Sequence, residues 1–267
     1  MSSFDEKILN AVNDISTTNN PFKGKWVSIL GDSISTYKGY IPEGNNVYYP
    51  NDDVDDVSKT WWHILLTKLG AKLCVNNSSG SRLVCDDSDN SAIVAVPTLH
   101  REAGKTYVNL DGTTEVATKW INPDIILINL GMNDFLGAKT LGEFNVKCLT
   151  AAPAESTFYD WYNYILLKTV GLSYRNAQVY CLDMTFSKYK DHFLTAIAST
   201  GATLPEYQQA IKDEARIYGL KCLHTSSICV HGANTDKLLI DKIHPKADMM
   251  KMIANQCYHE MMADNCL

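Results

Sequence analysis

Several features that define particular classes of protein are missing from the sequence. No run approaches the roughly 20 consecutive apolar residues that a membrane-spanning helix needs. Lysine and arginine form no cluster and the net charge is −6, which disfavours binding to nucleic acid or to an anionic membrane surface. The start of the chain has neither the basic residues nor the apolar run of a secretory signal peptide. We therefore expect a cytoplasmic protein whose partners include neither nucleic acid nor membrane.

Cysteine is present, but in no pattern that binds a metal or carries redox chemistry. The eight cysteines include no Cys-x-x-Cys pair, so neither a zinc site nor a dithiol site is predicted. A chain of 267 residues is large enough to fold without disulfides. Cys74, Cys181 and Cys222 lie in apolar, strand-like runs, and we expect them to behave as small buried hydrophobic residues.

No internal repeat, low-complexity tract or Pro/Gly/Ser-rich linker divides the sequence. With 45% hydrophobic and 20% charged residues, the composition is that of a folded globular domain. We therefore predict a single domain over residues 1–267. The segment at about 82–120 departs from the pattern of the rest, and Asp111-Gly112 within it is a hairpin-turn signal. We interpret this segment as a hairpin-like insertion.

Short apolar runs alternate with segments of helical periodicity along the chain. The runs that we interpret as strands are Lys25–Leu30, Ala71–Val75, Asp124–Leu130, Gln178–Met184 and Leu220–His224. The segments that we interpret as helices are 4–17, 60–69, 156–170, 205–218 and 245–263. This alternation predicts an α/β fold in which a parallel sheet is covered on both faces. Sheets of this kind place their functional sites at the carboxyl ends of the strands.

A serine follows the first predicted strand, in the stretch GDSIS at 31–35. Gly31 allows a sharp turn, so Ser33 is expected to stand at the carboxyl end of the strand. If a helix follows, the backbone N–H of Ser33 is free to bind an anion. By itself, such a serine is more typical of a turn or a helix cap than of a nucleophile.

Polar residues also follow the second and third predicted strands. The second strand leads into NNSSGSR at 76–82, which contains Gly80 and by itself indicates a connecting loop. The third leads into GMND at 131–134, where the Asn133 side chain can donate two hydrogen bonds without carrying charge. That property suits a developing oxyanion. A helix cap formed by Asn133 or Asp134 explains this motif equally well on its own.

An aspartate and a histidine lie close together near the end of the chain, in DKIHP at 241–245. Pro245 is favoured in the first turn of a helix, which makes His244 a residue held extended before that helix. Asp241 lies three residues earlier and is predicted to bond one nitrogen of the imidazole. Such a carboxylate fixes the tautomer and leaves the other nitrogen free to act as a base.

Taken together, these residues supply every group that acyl transfer to a serine requires. Ser33 is a nucleophile, His244 a base and Asp241 the group that orients the base. Hydrogen-bond donors for an oxyanion come from the other two stretches. Independent turns and caps would rarely assemble this set, so the combination favours a serine hydrolase.

At these positions the sequence resembles the SGNH hydrolases, also called the GDSL esterase/lipase superfamily, which are named for Ser, Gly, Asn and His in four sequence blocks. The first block resembles GDSIS at 31–35, the third GMND at 131–134 and the last DKIHP at 241–245. Gly80 is the only glycine that fits the second block, where the usual spacing is missing. The blocks extend from Gly31 to Pro245, which is most of the chain.

The resemblance implies a flavodoxin-like three-layer α/β/α sandwich with a five-stranded parallel sheet. It implies hydrolysis of a small-molecule acyl ester without metal or cofactor. Carried over by position, Ser33 is the nucleophile, His244 the general base and Asp241 its orienting group. The implied oxyanion hole consists of the backbone N–H groups of Ser33 and Gly80 and the side chain of Asn133.

The stretch that follows the nucleophile is rich in aromatic residues. Tyr37 and Tyr40 are candidate substrate-binding residues, because aromatic faces suit a sugar, aryl or acyl group. Packing in the core explains the same two residues about equally well. Trp61 and Trp62 begin a predicted helix, and we interpret them as core residues.

Arg82 is the third candidate for contact with substrate, since it follows the Gly80 loop directly. Its guanidinium group suits a carboxylate or phosphate. An ion pair with Asp86 or Asp87 is the alternative that we favour.

The leading hypothesis is a serine esterase acting on a small acylated substrate, for which an acetylated carbohydrate is one candidate. A non-catalytic carbohydrate- or ligand-binding module on the same fold is an alternative. An acyltransferase is another, because an alcohol can intercept the acyl-enzyme instead of water. The sequence specifies neither the acyl and alcohol parts of the substrate nor the oligomeric state.

Overall fold

The computed structural model describes residues 20–187, 201–228, 230 and 234–264. Its main element is a parallel sheet of five strands. These strands are β1 (Trp26–Gly31), β2 (Lys72–Ser78), β5 (Ile125–Asn129), β6 (Gln178–Leu182) and β7 (Lys221–Leu223). Their order across the sheet is β2-β1-β5-β6-β7, and each pairs in parallel with its neighbour. All five strands predicted from the apolar runs are present.

The two faces of the sheet bury two separate hydrophobic clusters. Alternate residues of the central strands point to opposite faces, as strand geometry requires. In β5, Ile126 and Ile128 join one cluster, while Ile125 and Leu127 join the other. Every residue of β5 is buried, which explains why its sequence is a continuous apolar run rather than an alternating one.

Helices cover both faces of the sheet. The helices are α1 (Trp61–Leu69), α2 (Ala92–Ala95), α3 (Met132–Leu136), α4 (Phe158–Leu166), α5 (Leu204–Ile217), α6 (Thr235–Leu238) and α7 (Ala247–Asp264). Helices α4 and α5 pack together over one cluster, and α1 and α7 pack together over the other. The predicted three-layer α/β/α sandwich is therefore confirmed. The helix predicted at 4–17 lies outside the described residues.

The ends of the helices follow from local sequence signals. At α1, the Thr60 side chain accepts a hydrogen bond from the N–H of His63, and Gly70 ends the helix at φ 60. Helix α5 begins with a capping box, in which the Glu206 carboxylate accepts the N–H of Thr203 at 2.7 Å. Pro205 lies in the first turn of this helix, as predicted.

A two-stranded antiparallel hairpin occupies the segment that departs from the alternating pattern. Its strands are β3 (Thr106–Val108) and β4 (Thr114–Val116), and the Asp111-Gly112 signal lies in the turn between them. Arg101 attaches this region to the free edge of β2. Its fully buried guanidinium donates hydrogen bonds to the carbonyl oxygens of Leu73 and Cys74 at 2.7 and 2.8 Å. The arginine thus provides hydrogen-bond donors to two carbonyls of an edge strand.

The cysteines behave as the sequence predicts. Cys74, Cys181 and Cys222 are free thiols and are buried. Within the described ranges, no helix combines the length and the apolar character needed to cross a membrane.

Candidate active site

The turn that follows β1 exposes a serine above a tightly packed backbone. A side chain at Gly31 would come within 2.7 Å of the hydroxyls of Ser35 and Ser78, so close packing is what requires glycine here. Asp32 is buried, and its carboxylate accepts the N–H of Ile34 at 3.0 Å, which caps the short turn Ser33–Ser35. The aspartate therefore has a structural role in this turn.

Ser33, His244 and Asp241 form a continuous chain of hydrogen bonds. The Nε2 atom of His244 lies 2.8 Å from the Oγ atom of Ser33, and its Nδ1 atom lies 2.7 Å from Oδ2 of Asp241. Ser33 and His244 are 211 residues apart in sequence. The fold brings them together because β1 ends at the same edge of the sheet at which the segment before α7 passes.

The local environment sets the protonation of this chain. Burial lowers the pKa of His244 below its usual value of 6.5, although the neighbouring Asp241 opposes this shift. Burial raises the pKa of Asp241, but hydrogen bonds from His244 and Tyr48 and the charge of His244 outweigh it and leave this pKa below its usual value. At neutral pH the imidazole is therefore neutral and the carboxylate ionised, which is the state in which Nε2 can accept a proton from Ser33.

The third motif holds two side chains at the end of β5. The amide nitrogen of Asn133 donates to the carbonyl of Arg82 at 3.0 Å, which leaves its second hydrogen for another acceptor. Asp134 is fully buried and accepts the N–H groups of Val84 and Cys85 at about 2.9 Å. Burial raises the pKa of Asp134 to about 6, despite these bonds. Because α3 begins at Met132, neither Asn133 nor Asp134 is its cap residue.

The structure corrects the role predicted for Gly80. Its backbone N–H donates to the carbonyl of Asn46 at 2.8 Å and is therefore not available to an oxyanion. A side chain at this glycine would lie 3.3 Å from the Cβ atom of Asn46. The loop that follows the nucleophile thus packs directly on the second block. Nothing in the sequence pattern indicates this contact.

The backbone N–H of the next residue, Ser81, faces away from the loop that binds the N–H of Gly80. The carbonyl of Gly80 accepts hydrogen bonds from the side chains of Asn46 and Asn90 at 3.2 and 2.9 Å. In a planar trans peptide the N–H points away from the carbonyl, so the N–H of Ser81 faces away from these two asparagines. Ser81 has φ 59, a left-handed conformation that usually favours glycine. No residue in the described part of the chain accepts a hydrogen bond from this N–H.

Arg82 forms neither of the predicted ion pairs. Its guanidinium donates to the carbonyl and side-chain oxygens of Asn77 and to the carbonyl of Asn90. The prediction of a pair with Asp86 or Asp87 is therefore wrong. The side chain is 2% exposed, because it turns inward and satisfies backbone carbonyls near the free edge of β2.

Two buried charges lie behind the nucleophile turn. Burial raises the pKa of Asp32 to about 7, an effect that the charge of Asp134 strengthens and that of Arg82 weakens. Burial lowers the pKa of Arg82 to about 10, so this guanidinium is still a cation at neutral pH. The arginine therefore partly neutralises a carboxylate that the protein has taken out of water.

The two candidate tyrosines occupy different surroundings. Tyr37 donates its hydroxyl to the carbonyl of Asp55 at 2.7 Å. Tyr40 packs on Trp62 and lines a cavity of about 520 Å³ between β2 and the hairpin, to which Arg82 also contributes. Ser33, His244 and Asp241 are not among the residues that line this cavity. Trp61 and Trp62 are fully buried, as predicted.

Tyr48 is a residue of this site that the sequence did not identify. Its ring stacks on the imidazole of His244, and its hydroxyl donates to Asp241 at 3.0 Å. The only signal was membership of the aromatic stretch after the nucleophile. Tyr48 and Asp241 are 193 residues apart, so no local spacing links them.

Comparison with known proteins agrees with the resemblance seen in the motifs. The family model "GDSL-like Lipase/Acylhydrolase" matches residues 25–261. Two solved structures described as GDSL-like lipases come from Bacteroides ovatus and Bacteroides uniformis. The first is 25% identical, with a TM-score of 0.64 over 90% of this chain and 99% of that chain. The second is 24% identical, with a TM-score of 0.63 over 90% of this chain and 96% of that chain. No curated protein matches the chain. With the family model matching most of its length, the chain belongs to the GDSL-like lipase/acylhydrolase family.

Proposed function

We propose that the protein is a serine esterase that hydrolyses a small acylated substrate through an acyl-enzyme on Ser33. The observation that carries this proposal is the hydrogen-bonded chain from Ser33 through His244 to Asp241, with distances of 2.8 and 2.7 Å. A neutral imidazole bonded to a serine hydroxyl on one side and to a carboxylate on the other is the arrangement that activates serine. An acetylated carbohydrate is one substrate of this class.

The reaction follows from the positions of these groups. Oγ of Ser33 attacks the ester carbonyl while Nε2 of His244 takes the hydroxyl proton, and Asp241 stabilises the resulting imidazolium. The tetrahedral intermediate then expels the alcohol, which leaves with the proton from Nε2. Water attacks the acyl-enzyme in the same manner and releases the carboxylic acid. Each step transfers one proton through Nε2, so His244 acts in turn as base and acid.

Three donors are available for the negative oxygen of the tetrahedral intermediate. The backbone N–H of Ser33 lies in the first turn after the cap residue, where it has no partner within that turn. The second amide hydrogen of Asn133 is the side-chain donor. In place of Gly80, the N–H of Ser81 is the donor from the second block. All three belong to segments at the carboxyl edge of the sheet.

The proposal predicts that a fluorophosphonate probe labels the wild-type protein covalently on Ser33. The reason is that the probe phosphonylates only a serine whose hydroxyl is activated by a neighbouring base, with loss of fluoride. Mass spectrometry of the labelled peptide identifies the modified residue. Ser33→Ala should abolish labelling, whereas the control Ser58→Ala, at an exposed turn, should label as the wild type does.

Turnover is measured in parallel on p-nitrophenyl esters of increasing acyl length, and the preferred ester defines the acyl group. A folded wild-type protein that is neither labelled nor active on any of these esters would contradict the proposal. Ligand binding by calorimetry in such a protein would favour the non-catalytic alternative.

Asn133→Ala is expected to lower kcat by roughly 10²- to 10³-fold with little change in KM, because an oxyanion donor acts mainly in the transition state. Asn255→Ala is a suitable control, since this side chain of α7 accepts a hydrogen bond from Lys68 of α1. Steady-state kinetics on the best ester provides the measurement. Equal kcat values for Asn133→Ala and the wild type would remove Asn133 from the oxyanion hole.

A further inference from the structure

Tyr48 contacts both His244 and Asp241. The centroids of the tyrosine and imidazole rings lie 3.5 Å apart and the ring planes make an angle of 12°, so the two rings form a parallel stack. The hydroxyl of the same tyrosine donates to Oδ2 of Asp241 at 3.0 Å. Oδ2 is also the atom that bonds Nδ1 of His244. One side chain therefore restrains the plane of the imidazole and the position of its carboxylate partner.

The loop that carries Tyr48 is attached to both sides of the site. The N–H of Tyr48 donates to the hydroxyl of Thr36 at 2.9 Å, and this hydroxyl in turn donates to the carbonyl of Ser33 at 2.9 Å. The next residue, Tyr49, is fully buried and donates its hydroxyl to the carbonyl of Pro245 at 2.8 Å. Tyr48 thus has a fixed position relative to the nucleophile and to the segment of the base.

The hydrogen bonds of Asp241 show what the tyrosine hydroxyl adds. Oδ1 accepts the N–H groups of Ile243 and His244, and Oδ2 accepts Nδ1 of His244 and the hydroxyl of Tyr48. Three of these four donors belong to the same short segment as the carboxylate. Tyr48 is the donor that comes from elsewhere in the fold. Burial, together with Asp241 itself, raises the pKa of Tyr48, so its hydroxyl keeps the proton that it donates.

The ring also acts on the charge of the imidazole. An aromatic face is electron-rich and stabilises a cation placed over it. The imidazole becomes a cation only after it accepts the proton of Ser33. Stacking on Tyr48 therefore favours the protonated base of the transition state, while it holds Nε2 in line with the nucleophile.

We propose that Tyr48 is a positioning residue of the catalytic base, whose hydroxyl fixes the Asp241 carboxylate and whose ring fixes and stabilises the His244 imidazole. This proposal rests on the proposed function, because it assigns Tyr48 a role in the same proton transfers. It adds a fourth side chain to the chain of hydrogen bonds, from a loop that the motifs do not include.

Two substitutions separate the hydroxyl from the ring. Tyr48→Phe keeps the stack and removes one hydrogen bond to a charged group, so kcat should fall roughly tenfold. Tyr48→Leu removes both contacts and should lower kcat by a further factor of roughly ten, because the imidazole loses its stacking partner. KM should change little in both variants, since Tyr48 acts through His244. Tyr159→Phe is the matched control, because its hydroxyl also donates to an aspartate, Asp213, at 3.3 Å.

The pH profile of kcat/KM distinguishes this role from a merely structural one. Among the described residues, the groups in contact with the imidazole are the Asp241 carboxylate at Nδ1, the Ser33 hydroxyl at Nε2 and the Tyr48 ring on its face. Without the hydroxyl of Tyr48, more of the negative charge of Asp241 acts on His244, so the acidic midpoint should rise in Tyr48→Phe. In Tyr48→Leu the loss of the aromatic face should bring the midpoint down again from that of Tyr48→Phe.

Each outcome decides the proposal. An active wild type together with a Tyr48→Phe variant of equal kcat and equal acidic midpoint would overturn it and leave the proposed function intact. A wild type that is neither labelled by fluorophosphonate nor active would overturn both. If Tyr48→Leu fails to fold, as circular dichroism would reveal, the comparison of Tyr48→Phe with Tyr159→Phe still decides.

Discussion

His244→Ala is expected to lower kcat by roughly 10⁴- to 10⁶-fold, the largest loss of any substitution outside the nucleophile. Within the described residues, His244 is the one group whose side chain bonds Oγ of Ser33. Its removal leaves the hydroxyl without a base, while the oxyanion donors and the surrounding surface are unchanged. KM should therefore stay within a few-fold of the wild-type value. Single-turnover and steady-state kinetics on the best p-nitrophenyl ester provide the measurement.

The pH dependence of kcat/KM provides a second test of the role of His244. In the wild type, kcat/KM should fall as the pH drops through the pKa of His244, because the protonated ring cannot accept a proton. That midpoint is expected below 6.5, since burial lowers this pKa. His224→Ala is the control, because this imidazole bonds Glu260 at the surface and should leave both kcat and the profile unchanged. A His244→Ala variant with near-normal turnover would remove His244 from the mechanism.

Much of the fold could be predicted because buried strands in a parallel sheet have continuous apolar sequences. The strand predicted at Asp124–Leu130 is observed at Ile125–Asn129. The strand predicted at Ala71–Val75 extends to Ser78, because polar residues that resembled a loop are buried at its end. There Asn76 donates to the carbonyl of Ser35 at 2.9 Å and accepts the hydroxyl of Ser78 at 2.6 Å. Hydrogen bonds between segments, which composition does not reveal, allow these polar residues to continue the strand.

In the candidate site, too, the sequence predicts where the backbone of each motif lies but not which side chains contact it. Motifs at the ends of strands predicted that Ser33 and Asn133 would lie at one edge of the sheet, because parallel strands end together, and the family resemblance added His244 to them. They did not predict which loop packs on each motif. The carbonyl of Asn46 accepts the N–H of Gly80, and Tyr48 covers the imidazole, through a loop that is rich in aromatic and polar residues. Such contacts depend on the path of the loop, for which no periodicity exists.

Asp241→Asn is expected to lower kcat by up to about 10⁴-fold, because it forces the wrong tautomer on His244. Oδ1 of Asp241 accepts two backbone N–H groups, those of Ile243 and His244, at 3.2 and 2.9 Å. In the variant, only the amide oxygen can take this position. The amide NH₂ group must then face Nδ1 of His244 and donate to it. The remaining proton of the ring moves to Nε2, where it points at Ser33 and prevents the ring from accepting the hydroxyl proton.

The fixed orientation of the amide in Asp241→Asn leads us to expect an unusual order of activities among substitutions of Asp241. The Asp241 side chain is 43% exposed, so in Asp241→Ala water can take its place beside Nδ1 without dictating the tautomer. Asp241→Ala should therefore retain more activity than the isosteric Asp241→Asn. Asp264→Asn, which alters a surface pair with Lys221, is the matched control and should behave as the wild type. If Asp241→Asn proves as active as Asp241→Ala or more so, the tautomer of His244 is not set by Asp241 in the way that its hydrogen bonds indicate.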